Sequence, residues 1–205
     1  RVAIIGTNGL PANYGGFETL VANIHETIAE NHDLTVYCSK KTQKGIKKIG
    51  KTRLIRIPLS ANGWQSFFYD FLSIVHALSY ADVLIILGLG GGLALPVLRL
   101  SGKKIIYNPG GIEVDKIRGS KLTSSIETRL KRAFDNGFFK LSHNIVLDNE
   151  AFFDYLVTYS EKLRLIEYGG EDLNQEGIES WNSPFQEYDI SVSRAQKDMN
   201  IHIVL

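Results

Sequence analysis

Val2-Ala3-Ile4-Ile5-Gly6-Thr7-Asn8-Gly9-Leu10-Pro11-Ala12-Asn13-Tyr14-Gly15-Gly16-Phe17-Glu18-Thr19 opens the chain and decides its fold. Four consecutive apolar residues predict a buried strand. A loop carrying Gly6, Gly9, Gly15 and Gly16 follows, and a helix begins near Phe17. This order makes an anion site. Glycines let the backbone approach a ligand, and the free N–H groups of a first helical turn point outward with the positive end of the helix dipole behind them. The plainer reading is that the glycines only shape a tight strand-to-helix turn.

Two phosphate loops can be tested against this string. A P-loop needs Gly-Lys-Ser/Thr at its close, whereas Gly16 is followed by Phe17. The dinucleotide pattern G-x-G-x-x-G fails because two residues separate Gly6 from Gly9. That pattern also asks for an acid at the end of the second strand, to hold a ribose hydroxyl. Here that strand ends Val36-Tyr37-Cys38-Ser39-Lys40 without a carboxylate, which disfavours NAD.

Outward from this stretch, strands and helices alternate. Leu20, Val21, Ile24 and Ile28 give residues 17–30 a helical period, and residues 34–37 and 54–57 predict strands. Further helices are expected at 66–80, 93–101, 120–140 and 150–158, with strands at 82–87, 104–107, 144–147 and 163–166. Runs such as Val83-Leu84-Ile85-Ile86-Leu87 are typical of strands covered on both faces. The expected fold is α/β, a Rossmann-like doubly wound parallel sheet, with ligands collecting at the carboxyl ends of its strands.

The chain has 205 residues and a formal net charge of +1, a balance with no nucleic-acid signature. Its single cysteine, Cys38, excludes an internal disulfide and fits a reducing compartment. Residues 83–98 are too short, and too interrupted by glycines and Pro96, for a membrane span. His25, His76 and His143 lack ligand spacing, so no metal is expected, and no Gly-x-Ser-x-Gly elbow is present. After Ile166 the character changes. The expected organisation is a first domain over residues 1–172, a polar linker over 173–189, and the opening strand and helix start of a second domain over 190–205.

The string from Ile5 to Thr19 resembles the opening of bacterial GT-B glycosyltransferases of the rhamnosyltransferase-like branch. Members begin with a near-identical strand, a Gly-x-x-Gly-x-Pro loop and a Tyr-Gly-Gly-Phe-Glu-Thr helix start. Tyr107-Asn108-Pro109-Gly110-Gly111-Ile112-Glu113 is similar to that branch's fifth-strand exit, and Ile166-Glu167-Tyr168-Gly169-Gly170-Glu171 to its interdomain turn. The resemblance implies the N-terminal, acceptor-side half of a GT-B fold. It implies transfer of rhamnose or a similar hexose from a nucleotide-sugar donor to a saccharide or lipid-linked acceptor, without metal or cofactor. By the same resemblance, Gly9, Gly15, Gly16 and Arg194 contact the donor phosphates. Asn13, Tyr14, Glu18, Asn108, Gly110 and Gly111 face the acceptor, in the cytoplasm or at the inner face of the membrane.

The chain also departs from that pattern. Gly110 stands where the branch usually carries aspartate, and Val114 where it carries tryptophan. Glu113 is then the nearest carboxylate, either a catalytic proton acceptor or a solvent-facing acid at a helix start. The lysine that many relatives place after the arginine falls near Met199, with Lys197 out of register. Trp64, Phe67, Phe68 and Tyr69 form an aromatic cluster, read either as core packing or as an apolar shelf for a sugar or lipid-linked acceptor. The lysines from Lys40 to Lys51 predict a solvated loop, one that could lie beside anionic lipid if the acceptor is lipid-linked. The apolar tail from Ile190 either packs back on the first domain, pairs with a second copy as a homodimer, or continues into a longer protein. The readings from other classes are a nucleotide- or NAD-linked oxidoreductase and a non-catalytic carbohydrate-binding relative.

Overall fold

A computed structural model describes residues 1–13, 15–42, 44–88, 90–110 and 126–167. Tyr14, Gly111, Glu113 and Arg194 lie outside the described residues, as do the linker and the tail. The chain divides into two units, Arg1–Gly169 and Gly170–Leu205, and only the first is described below.

The elements follow in the order β1 (Val2–Ile5), α1 (Gly16–Asn31), β2 (Leu34–Cys38), β3 (Lys48–Ile49), β4 (Thr52–Arg56), α2 (Gln65–Leu78) and β5 (Val83–Leu87). Then come a 3-10 turn (Gly90–Ala94), α3 (Leu95–Ser101), β6 (Lys104–Asn108), α4 (Ile126–Leu141) and β7 (Asn144–Leu147). Two 3-10 segments (Glu150–Tyr155 and Val157–Lys162) lead into β8 (Leu163–Leu165).

The strands form one eight-stranded sheet in the order β3-β4-β2-β1-β5-β6-β7-β8. Every pairing is parallel except the β3–β4 hairpin. The chain runs outward from β1 to β4, then returns to β5 on the other side of β1. Strand order therefore reverses between β1 and β5, and the crevice above their carboxyl ends is the switch point where ligands of such sheets bind. The expected doubly wound fold is what forms, with an antiparallel edge added.

Alternation along the strands divides the interior in two. Val2, Ile4, Val36 and Leu54 face α1 and pack with Val21 and Ala29. Ala3, Ile5, Leu84, Ile86 and Tyr107 face the opposite side and pack with Tyr69 and Ile74 of α2, Leu98 of α3 and Phe138 of α4. The continuous apolar character of β1 has a direct cause, because all four residues are at most 7% exposed and both faces are covered.

Three local readings differ from the sequence expectation. The lysine-rich segment is not all loop, since Lys48–Ile49 pairs with β4 around Gly50 at φ +53, with Ile46 and Ile49 packed on the α1-side core. Residues 93–101 start not as α-helix but as the 3-10 turn. A Cβ on Gly91 would come within 2.7 Å of Ile74, and one on Gly92 within 2.1 Å of Phe134, so these glycines let α2 and α4 close over the backbone. Residues 150–158 form 3-10 turns rather than an α-helix. Phe153, Leu156 and Tyr159 all reach the core, and a three-residue spacing is the 3-10 period.

Candidate functional site

The β1–α1 loop is held from inside by Glu18. This side chain is 6% exposed, and its Oε1 accepts hydrogen bonds from the Asn8 amide (2.6 Å), Asn8 Nδ2 (2.9 Å) and Thr7 Oγ1 (3.2 Å). Asn8 in turn ties the loop to the end of β2. Its carbonyl accepts from the Ser39 amide at 2.9 Å and from Thr42 Oγ1 at 2.6 Å, and its Oδ1 accepts from Ser39 Oγ at 2.9 Å. Gly9 lies against Cys38, whose thiol burial pushes up in pKa. Tyr69 of α2 completes the anchorage by donating to the Thr7 carbonyl at 2.9 Å. The loop is rigid because buried polar groups on three elements are satisfied by it.

Above this anchorage the start of α1 is open. Gly15, with φ 110 and ψ 154, precedes the helix and provides no side-chain cap, and both Gly15 and Gly16 are exposed. The first N–H groups of a 16-residue helix thus face outward at the carboxyl end of β1, where the dipole favours negative charge. Gly15 is also sterically required, because a Cβ there would sit 2.2 Å from Glu18 Oε2.

Asn108 ends β6 on the far side of the switch point. Its Oδ1 accepts from the Gly110 amide at 2.8 Å, and its carbonyl accepts from the Gly88 amide at 2.8 Å. Gly110 has φ +73, and a Cβ there would come within 2.4 Å of the Phe17 ring. The same ring stands 3.4 Å from the Cβ position of Gly88. Phe17 therefore occupies the space that a side chain at position 110 would take.

The expected residues fall into two groups. Gly9, Asn13 and Glu18 line a small polar cleft of about 80 Å³ with Asn8, Lys41 and Asn62. Asn108 and Gly110 lie across the crevice, with Gly15 and Gly16 at the helix start. Asn108 also borders a larger apolar groove of about 660 Å³ between α1 and strands β5 to β7, floored by Ile85, Ile106 and Val146. No carboxylate stands in the run Ser39-Lys40-Lys41-Thr42 after β2. Among the described residues, no cluster of histidine, cysteine and acidic side chains could hold a metal, and no helix is long and apolar enough to cross a membrane.

Sequence reasoning passed over Asp70. It sits on the buried face of α2, 3% exposed, and its Oδ1 has no hydrogen-bond partner among the described residues. A Cβ on Gly90 would meet its Oδ2 at 1.9 Å, so this carboxyl packs directly under the glycine turn that follows β5. The signal was present as an acid at the i+4 position of an apolar helical face, between Ser66 and Ile74.

Two expectations follow. Glu18→Ala leaves the three donors of Asn8 and Thr7 without their acceptor, and should lower unfolding free energy by about 2–3 kcal/mol in urea titration. Burial alone holds the Asp70 carboxyl well above the usual carboxylate range. A raised carboxyl favours the fold most at pH below the unfolded value of about 3.9, and the advantage fades as pH rises toward the folded value. Asp70→Asn should therefore gain stability relative to the wild type with rising pH, measured as unfolding free energy across the acid-to-neutral range. A constant difference would mean that Asp70 does not titrate differently in the fold.

Residues 1–171 match the family described as a domain of unknown function, DUF1972. No curated protein matches the chain. Among solved structures, it is similar to sucrose-phosphate synthase (tll1590) from Thermosynechococcus elongatus, with 16% identity and a TM-score of 0.58. The match covers 82% of this chain and 48% of that one, so the chain spans about half the length of the structure it resembles. The likeness is one of fold, an α/β Rossmann-like sheet of the kind that forms half of a GT-B protein. On the family match over most of its length, the chain belongs to the DUF1972 family.

Proposed function

We propose that this chain is the acceptor-side half of a nucleotide-sugar-dependent glycosyltransferase. The reaction is transfer of rhamnose or a similar hexose to a saccharide or lipid-linked acceptor in bacterial cell-surface polysaccharide assembly, on the cytoplasmic side of the membrane. The observation that carries it is the uncapped, exposed start of α1 at the carboxyl end of β1, beside the switch point. As a glycosidic bond to a diphosphate breaks, negative charge grows on the leaving group. Fixed N–H groups with a helix dipole behind them stabilise that charge without reorganising. The fold likeness to sucrose-phosphate synthase supports the class of reaction, and the opening motif supports the branch. Glu113 and Arg194 keep the roles that the resemblance gives them, as proton acceptor and diphosphate ligand, and the sugar transfer uses neither metal nor cofactor.

A non-catalytic, carbohydrate-binding role is the second reading. It is favoured by Phe17, whose ring fills the place at position 110, after β6, where the branch it resembles usually carries an acid. The full-length protein incubated with nucleoside diphosphate sugars decides between the two. Release of nucleoside diphosphate, with or without added acceptor, supports the transferase. Saturable sugar binding without any release supports the second reading, and binding of NAD in place of either overturns both.

A further inference from the structure

The outer face of the α2–α3 layer is apolar where a solvated surface is expected. Trp64, Phe68, Leu72 and Val75 are 72%, 51%, 46% and 42% exposed, and their spacing puts them on one stripe of α2. The next element repeats the pattern, with Leu93 at 41%, Val97 at 40% and Leu100 at 89% exposure. Both elements bury their opposite sides in the same core cluster, so these residues share the outward face of that layer. Exposed apolar side chains gathered on one face of a layer mark contact sites.

The charge pattern identifies the partner. The only charges within α2, the 3-10 turn and α3 are the buried Asp70 and the exposed Arg99. On neighbouring α4, Arg129 and Lys140 are exposed, while Asp135 receives a hydrogen bond from Tyr107. His76 is the other titratable group on the outer face, and its Nδ1 is bonded to the Tyr37 hydroxyl at 2.6 Å. Lys104 is exposed just beyond α3, and Lys103 pairs with Asp82 at 3.9 Å. Across the sheet, α1 has no lysine or arginine and exposes Glu26 and Glu30, with Asp33 following it. The described charges bordering the apolar stripe are therefore basic, whereas the α1 side carries both signs, because the exposed Lys47, Lys48 and Lys51 flank Ile46 and Ile49, which pack on that core.

We propose that the α2–α3 face docks on an anionic lipid bilayer. Its aromatic and aliphatic side chains enter the headgroup boundary, and Arg99, Lys104, Arg129 and Lys140 meet the lipid phosphates. The proposal stands on surface chemistry and is separable from the transferase reading, because vesicle binding is measured without substrate.

The test is sedimentation of the full chain with phosphatidylcholine vesicles, with and without phosphatidylglycerol. Binding is expected only to the anionic vesicles and should weaken as salt screens the basic rim. Phe68→Glu and Leu100→Glu should each reduce the partition coefficient about tenfold or more, and Arg99→Glu severalfold, with far-ultraviolet circular dichroism unchanged. Leu100 is so exposed that its substitution leaves the core intact. Failure to bind anionic vesicles, equal binding to both compositions, or equal binding by the three variants would each overturn the proposal. So would a dimer, seen by analytical ultracentrifugation without lipid, that these variants convert to monomer, because the face would then belong to a second copy.

Discussion

Gly6→Ala is expected to destabilise the domain by about 4 kcal/mol, a large part of the roughly 5–15 kcal/mol that holds such a fold together. Two effects add at this position. The backbone has φ +97, which L side chains rarely adopt, and the new Cβ would lie 1.9 Å from the Leu87 carbonyl oxygen and 2.8 Å from its carbon. Leu87 cannot retreat. It ends β5, is 3% exposed, and continues the ladder in which Ile5 faces Ile86. Gly45→Ala separates the two effects, because Gly45 has φ +92 with nothing within 4 Å of its Cβ position. That variant should lose only about 1–2 kcal/mol, the cost of the left-handed backbone alone. Urea titration of both variants gives the comparison, and equal losses would mean that the contact with Leu87 costs nothing.

Gly16→Val should lower turnover about a hundredfold in the full-length enzyme, the scale of removing one donor to developing charge. Gly16 begins α1 and is exposed, so a branched side chain there shields the N–H groups that the proposed function assigns to the leaving diphosphate. Its effect on folding is small by comparison. Gly16 does not carry a positive φ, which in this loop falls on Gly6, Gly9 and Gly15, and valine in a helix costs under about 1 kcal/mol. A melting temperature close to the wild type, together with lost turnover, is the expected signature. Turnover unchanged by the substitution would remove the helix start from the reaction.

The two variants act on one loop for different reasons, and the loop shows what could be read in advance. Its glycines were legible as a group, yet their duties differ: Gly6 makes room for β5, Gly9 for Cys38, and Gly15 for Glu18. Glu18 was expected at the acceptor. The structure places it at the edge of the polar cleft while its Oε1 holds Thr7 and Asn8, a contact between residues ten and eleven positions apart that no periodicity announces. The aromatic cluster divided in the same way. Tyr69 is fully buried and Phe67 packs 6.1 Å from Phe134, whereas Trp64 and Phe68 point outward.

The alternation of apolar runs and helical periods is written along the chain, and with it a parallel sheet covered on both faces and a glycine-rich start to α1. Those features depend on neighbours along the chain, and local geometry encodes them. Three-dimensional packing settled which strands meet, where the order reverses between β1 and β5, and which face of α2 is left apolar and open. It also decided that Phe17 would press on Gly110, and that Asp70 would be buried beneath Gly90. Each of these is set by volume exclusion and burial between residues distant in the chain, and such contacts leave no period in the sequence to read.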